Sequence, residues 1–292
     1  MSLNGLPVES RQNGKENNRR GDREKAALNV EQVSVAFRQR KTLLPVLKDI
    51  SLTVERGEFV SLLGPSGSGK STLFHLIGGL LAPDQGRIYM DGEDVTGTRG
   101  RISYMPQQPA LFPWRTTLDN VLLGQENAPG PDKEPRREAR EEARRRLDEV
   151  GLGKFADAYP HTLSGGMQQR AAFLRAMLSP QELMLLDEPF SALDELTRSD
   201  MQQWLLQMWE RHRRSVLFIT HSIEEALLLS DRIYVLSARP ASVLQVVDVP
   251  FARPRREDLA ADKDFVELKH ELSRRMREEK AKNTAAWAGG TV

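Results

Sequence analysis

The chain has no cysteine in its 292 residues, which excludes disulfides, thiolate metal sites and cysteine nucleophiles and fits a reducing compartment. It also lacks any run approaching the ~20 apolar residues that a membrane-crossing helix needs. The best stretches, such as Leu183 to Leu186, are only the length of a strand, so a soluble or peripheral protein is expected. Neither sign of charge is in excess: 42 Lys and Arg stand against 41 Asp and Glu, a formal net charge of +1. Such a balance advertises neither nucleic acid nor an anionic surface, so binding has to be sought in local groups. No repeat recurs at a fixed period, and solenoids and propellers are therefore not supported. The N-terminus, Met1-Ser2-Leu3-Asn4-Gly5 followed by polar residues, lacks the basic-then-apolar order of a secretory signal.

What is present is an alternation of strands and helices. Residues 1–27 hold too few apolar side chains to offset the entropy of ordering, which predicts a flexible tail. From Leu28 onward, Val33 to Phe37 and Ile50 to Val54 alternate apolar with polar residues as half-buried strands do, while Phe59 to Leu63 reads as a buried one. Arg87 to Met90 and Ile102 to Tyr104 are further short strands, and the Pro- and Gly-containing stretch from Ala128 to Pro135 predicts a loop. In Pro135 to Val150, Ala139, Ala143, Leu147 and Val150 share one helical face. Glu141 with Arg145 and Glu142 with Arg146 are spaced for ion pairs, and Gly151 stands where a C-cap would. Strands at Leu183 to Leu186, Val216 to Thr220 and Arg232 to Leu236 alternate with helical patterns at Arg198 to Arg211 and Ile223 to Leu229, which argues for a parallel α/β sheet with crossover helices. Beyond Pro250, Phe265, Leu268, Leu272 and Met276 form one stripe on a charged helix, suited to packing against the main domain or a second copy.

Between the strand Phe59 to Leu63 and an apolar helix expected near Thr72 lies Gly64-Pro65-Ser66-Gly67-Ser68-Gly69-Lys70-Ser71-Thr72, a full P-loop with both of its required flanks. Its glycines let backbone N–H groups wrap phosphates, the helix N-terminus adds partial positive charge, Lys70 neutralises phosphate oxygens, and Ser71 can ligate Mg2+. Nucleotide hydrolysis further needs a metal ligand and a group to polarise water. Asp187 and Glu188, ending the buried strand that starts at Leu183, supply these, Asp187 toward Mg2+ and Glu188 as candidate general base.

Further motifs narrow the class. Leu163-Ser164-Gly165-Gly166-Met167-Gln168-Gln169-Arg170 resembles the signature sequence of the ABC ATPases. In the expected order, Gln107 resembles the Q-loop glutamine, Ser191-Ala192-Leu193-Asp194 the D-loop and His221 the switch histidine, while Phe37 is similar to the aromatic that stacks on adenine. The resemblance covers roughly Leu28 to Val249. It implies a P-loop NTPase of ABC type, with a mainly parallel RecA-like core sheet, an antiparallel β subdomain and a helical subdomain inserted at about 108–178, followed by a C-terminal helical extension over 250–292. It also implies that ATP and Mg2+ are the cofactors, that Gln107 lies near both metal and water, and that His221 reaches the γ-phosphate. Ser164, Gly165, Gly166 and Asp194 would act across a dimer on the nucleotide of a second cassette, since the chain holds one set of motifs. Met167, Gln168 and Ser222 depart from the commonest family residues without touching an essential group.

Gln107 to Trp114, with Thr117 to Val121 after it, looks like the importer group for nitrate, sulfonates and taurine, as do Ser237-Ala238-Arg239-Pro240 and Phe251-Ala252-Arg253-Pro254-Arg255. That likeness implies an ATPase subunit at the cytoplasmic face of the cell membrane, docked through Phe112 or Trp114 to membrane-spanning permease subunits and served indirectly by an extracytoplasmic solute-binding protein. Small anions are the expected cargo, and a pyrimidine precursor is the alternative within the group. A non-transport ABC ATPase of translation or DNA maintenance is the alternative outside it, but long coiled-coil insertions, basic patches and a second cassette are not in the sequence.

Overall fold

A computed structural model describes residues 26–39, 42–126 and 136–288. The first two strands, β1 (Ala26–Gln39) and β2 (Thr42–Glu55), pair antiparallel over much more chain than Val33–Phe37 and Ile50–Val54, the segments their alternation marks. Register shifts between Val30 and Val33, Val33 and Val35, and Val35 and Ala36 break the two-residue period that a regular strand keeps. β1 also starts inside the expected tail, since Ala26 and Ala27 are buried strand residues. Residues 1–25 of that expectation, and the loop expected at 128–135, lie outside the described residues.

β4 (Gln85–Met90) and β5 (Glu93–Asp94) complete a four-stranded antiparallel sheet in the order β2-β1-β4-β5. A second sheet of six strands joins β3 (Phe59–Leu63), β6 (Ser103–Met105), β7 (Leu183–Asp187), β8 (Ser215–Thr220), β9 (Arg232–Leu236) and β10 (Val243–Asp248) in the order β10-β9-β3-β8-β7-β6. Every neighbouring pair is parallel except β10 with β9. β3, β7 and β8 are buried at every position, as strands covered on both faces must be, which is why they read as unbroken apolar runs. β10 is an edge strand that partly exposes alternate residues, and no strand is expected there from the sequence.

The helices are α1 (Lys70–Ile77), α2 (Thr117–Glu126), α3 (Arg136–Glu149), α4 (Gly165–Met177), α5 (Glu195–His212), α6 (Ile223–Leu229) and α7 (Lys263–Ala288). Helix α5 opens at Glu195 rather than at Arg198, because the Asp194 carboxylate accepts the Thr197 N–H at 3.0 Å and caps the first turn. On α3, Ala143 and Leu147 are buried as expected, as is Val150 just past its end, while Ala139 is only half-buried; among the described residues one expected ion pair forms, Glu142 with Arg146 at 2.7 Å. Arg145 turns to Glu142 instead, at 2.5 Å, and Glu141 takes Arg137 at 3.0 Å. Gly151 ends this segment with φ +73°, its N–H bonded to the Asp148 carbonyl at 3.0 Å while Leu152 N–H reaches Leu147 at 2.7 Å, the paired closure that needs a left-handed residue.

Four apolar clusters hold these layers together. One fills the space between the two sheets around Leu28, Val54, Leu62 and Phe74. Another packs α4 and α5 on the parallel sheet, with Phe59 edge-on to Trp209 at 5.6 Å. Leu118, Val121, Leu147 and Leu174 join α2, α3 and α4 into a helical lobe. The fourth seats α7: Phe265 and Leu272 are fully buried, with Leu268 and Met276 beside them, against Ala226, Leu227, Ile233, Val235 and Val247. The stripe read from the sequence thus covers the chain's own domain.

Two short Arg-Pro motifs each hold a cis peptide bond, Arg239-Pro240 between β9 and β10 and Arg253-Pro254 on the approach to α7. The Arg253 guanidinium lies 4.2 Å from the Trp209 ring and pairs with Asp231 at 2.8 Å. Buried Arg255 donates to the carbonyls of Leu227, Leu228 and Ser230 at the end of α6 and to that of Phe251. Burial draws its pKa down to about 10, which leaves it charged at neutral pH and answered by carbonyl dipoles.

Candidate functional site

The carboxyl ends of the parallel strands bring the chemistry-bearing residues to one edge of the second sheet, where open α/β sheets bind ligands. β3 runs into Gly64 to Gly69, β7 ends on Asp187 with Glu188 next, β8 ends on Thr220 with His221 next, and Gln107 lies two residues past β6. The P-loop is braced from behind. Gly69 has φ +111°, and a Cβ there would stand 2.8 Å from Val46 Cγ1 and 2.9 Å from Leu47 Cδ2, so both its backbone and its space demand glycine. α1 then starts at Lys70, two residues before Thr72, because the loop turns directly into the helix after Gly69.

Lys70 is buried, and its Nζ donates to the carbonyls of Gly64 at 2.8 Å and Pro65 at 3.0 Å. Burial lowers its pKa, against the charges of Glu188 and Asp187. Burial likewise raises the Asp187 carboxyl, offset by a hydrogen bond with Ser71 and by the Lys70 charge. Tyr104 was not marked by any sequence signal, yet its hydroxyl lies 3.4 Å from Asp187 Oδ2, and burial with that neighbour pushes its pKa up to about 12. Glu188 holds a left-handed backbone, φ +44°, unusual for a side chain of its size, with its N–H bonded to the Ile219 carbonyl at 3.0 Å. Its Oε2 lies 3.2 Å from His221 Nδ1.

Gln107 does not join the Ser71–Asp187 pair. Its amide donates to Ser191 Oγ at 3.2 Å, and that hydroxyl donates to the Glu188 carbonyl at 3.0 Å. Phe37, 39% exposed near the end of β1, pairs across the strand with Leu44. The signature residues gather elsewhere. Ser164 caps α4 by accepting the Met167 N–H, and Gly166 packs so closely on Thr197 that a Cβ would come within 2.8 Å of its methyl group, beside Asp194. Among the described residues, no hydrogen bond joins Ser164, Gly165 or Gly166 to the P-loop, although Gln169 on the signature helix bonds the Pro189 carbonyl just past Glu188.

The site fits a nucleotide with its metal on two counts. The buried Ser68 hydroxyl has no partner among the described residues, and Lys70 donates its hydrogen bonds there to carbonyls of its own loop, so an anion in the loop would satisfy both. Ser71 and Asp187 supply a hydroxyl and a carboxylate, the hard oxygen donors that Mg2+ takes together with phosphate oxygens and water. Among the described residues, no group of three His, Cys, Asp or Glu forms a metal cage, and no helix is long and apolar enough to cross a membrane.

A family model described as "ABC transporter" matches residues 47–191. The formylaminopyrimidine import ATP-binding protein of Halalkalibacterium halodurans is 47% identical over 226 residues, which is 77% of this chain and 86% of that protein. The taurine import ATP-binding protein of Roseobacter denitrificans is 40% identical over 223 residues, 76% of this chain and 80% of that protein. Among solved structures, a dimeric ATP-binding cassette in a post-hydrolysis state with ADP and Pi matches with a TM-score of 0.67 at 31% identity, covering 77% of this chain and all 100% of that one.

Proposed function

The chain belongs to the ABC transporter family and is an ATP-binding, ATP-hydrolysing cassette, and from that premise we propose that it energises an importer of small solutes. The observation that carries the site reading is the convergence of Lys70, Asp187, Glu188 and His221 at the strand ends beside the P-loop. Bound ATP with Mg2+ supplies a phosphoryl group whose charge is already partly neutralised. Lys70 would turn from its carbonyl partners to phosphate oxygens, and Ser71 with Asp187 would hold the metal. Glu188 would polarise the attacking water, and His221, in contact with the Glu188 carboxylate, would reach the γ-phosphate. Gln107, held through Ser191 to the backbone of Glu188, reports on the occupied site to the segment that follows it.

That segment carries Phe112 and Trp114, whose rings stack at 5.0 Å with 10° between planes, Trp114 being 71% exposed. A stacked aromatic pair left in solvent next to the Q-loop supports docking of membrane-spanning subunits there, at the cytoplasmic face of the membrane. Ser164, Gly165, Gly166 and Asp194 form a second group with no hydrogen bond to the chain's own P-loop among the described residues, which supports a head-to-tail dimer in which each set completes the partner's site. We assign 26–249 as the cassette, its start moved two residues before the expected 28 because β1 begins at Ala26, about 108–178 as its helical subdomain and 250–292 as a C-terminal extension. The cargo is a small anion such as nitrate, an aliphatic sulfonate or taurine, chosen by a separate extracytoplasmic binding protein. A pyrimidine precursor is a second reading, favoured by the relative at 47% identity.

Gentle detergent extraction of the tagged protein from its own cells, with mass spectrometry of what accompanies it, tests this. A polytopic membrane protein in stoichiometric amount is expected, and its solute-binding partner can then be titrated with nitrate, taurine and formylaminopyrimidine. Ribosomal or DNA-bound proteins without a membrane partner would overturn the importer reading.

A further inference from the structure

We infer that Glu225 is a positioning residue for the Glu188–His221 pair, holding the backbone on both sides of His221 and tying it to helix α5. The inference rests on the reading that this pair carries hydrolysis. Glu225 lies on α6, is 8% exposed, and is not among the residues proposed above to hold phosphate or metal. A carboxyl withdrawn from water costs stability unless its oxygens are answered, and here both are. Oε2 accepts the Thr220 hydroxyl at 2.5 Å and Oε1 the Gln202 amide at 3.1 Å.

The Thr220 hydroxyl in turn accepts the Ser222 N–H at 2.9 Å, and the Ser222 hydroxyl accepts the Glu225 N–H at 3.3 Å. The residues before and after His221 are thus closed into one ring of hydrogen bonds with Glu225 at its base. The His221 side chain itself is 58% exposed and touches Glu188 at 3.2 Å, so packing does little to fix the ring. Its reach toward Glu188 is set by the backbone at Thr220 and Ser222, and therefore by Glu225. Small errors in such a reach are expensive, because displacement by about 1 Å can cost about 100-fold in rate.

Gln202 adds a second consequence. It stands on α5, whose first turn is capped by Asp194 in the surface proposed to face the other cassette. A path of direct contacts therefore runs from α5 through Gln202, Glu225 and Thr220 to His221 and Glu188. A carboxylate that only stapled α6 to α5 would affect stability without separating turnover from nucleotide binding.

The test measures steady-state ATP hydrolysis, ATP affinity and far-UV circular dichroism for Glu225→Ala, Glu225→Gln, Thr220→Val and His221→Ala. Glu225→Ala and Thr220→Val should each lower kcat about 10- to 100-fold while Kd for ATP stays within about twofold and the spectrum is unchanged. The Glu225→Ala, Thr220→Val double variant should be no slower than either single one, since both break the same ring. Glu225→Gln should recover part of the rate, because its amide oxygen still accepts from Thr220 while its NH2 cannot accept from Gln202. Wild-type kcat in Glu225→Ala and Thr220→Val, or additive losses in the double variant, overturns the inference; so does an equal loss in Kd. If Glu225→Ala does not fold, Glu225→Gln decides: reduced kcat at unchanged Kd supports the assignment and wild-type kcat overturns it. His221→Ala separates the two layers. If it is slow while Glu225→Ala is not, the inference alone falls, and if it hydrolyses like wild type, the reading of the pair falls and the inference with it.

Discussion

Replacing Gly69 with alanine adds one methyl group at the hinge between the P-loop and α1. Two costs are legible in the structure. At φ +111° an L-residue stands in backbone space that is worth roughly 1–2 kcal/mol less than the ordinary regions. The new Cβ would also sit 2.8 Å from Val46 and 2.9 Å from Leu47, an overpacking of roughly 1–3 kcal/mol against strand β2. Together they amount to about 2–5 kcal/mol, which the loop can relieve by leaving the conformation that wraps phosphate. If the whole of it falls on that conformation, nucleotide affinity drops at least about 30-fold. Thermal unfolding with ADP measures this without turnover. At a concentration 100 times its Kd the ligand stabilises the wild type by about 2.7 kcal/mol, and the same concentration would stabilise Gly69→Ala by under about 1 kcal/mol. A variant that melts like wild type and gains the full shift with ADP would refute the claim that the brace behind Gly69 sets the cradle.

Lys70→Ala removes the single buried ammonium of the loop and should abolish the ADP-dependent shift while the nucleotide-free protein still folds cooperatively, both read from the same melts. Phe265→Ala opens a cavity under α7 and should cost about 3–5 kcal/mol in denaturant unfolding, with the nucleotide-dependent shift retained. Arg255→Met strands several carbonyls at the end of α6 and should lower stability by about 1–3 kcal/mol in the same assay. Trp114→Ala, on a solvent-facing ring, should leave soluble ATPase activity intact and weaken co-purification of the membrane partner.

The parts of this site that were legible in sequence are those written in contiguous chain. The P-loop spans Gly64 to Thr72, and Asp187-Glu188 and His221 each follow an apolar run long enough to be a buried strand. The strand supplies the position and the next residue supplies the chemistry. What depends on distant packing was not legible. Tyr104 sits in a strand that periodicity marks within a residue, but nothing local says that its hydroxyl turns to Asp187. The brace of Gly69 by Val46 and Leu47 lies on β2, whose bulged pairing with β1 scrambles the alternation that identifies strands. β10 carries no strand signal because an edge strand needs no continuous apolar run. Arg253 and Arg255 stood out as a motif, yet their work, on the Trp209 ring and on the carbonyls of α6, appears only when the chain is folded.

The most direct test of the account is the Glu188→Gln variant, assayed for ATP hydrolysis and for molecular mass with and without Mg2+-ATP. The amide keeps the size of the side chain but cannot act as a base. The account predicts that ATP still binds, that turnover falls at least about 100-fold, and that the protein accumulates as a closed dimer in ATP alone. Turnover at the wild-type rate would contradict the assignment of Glu188 and, with it, the chemistry proposed for this site.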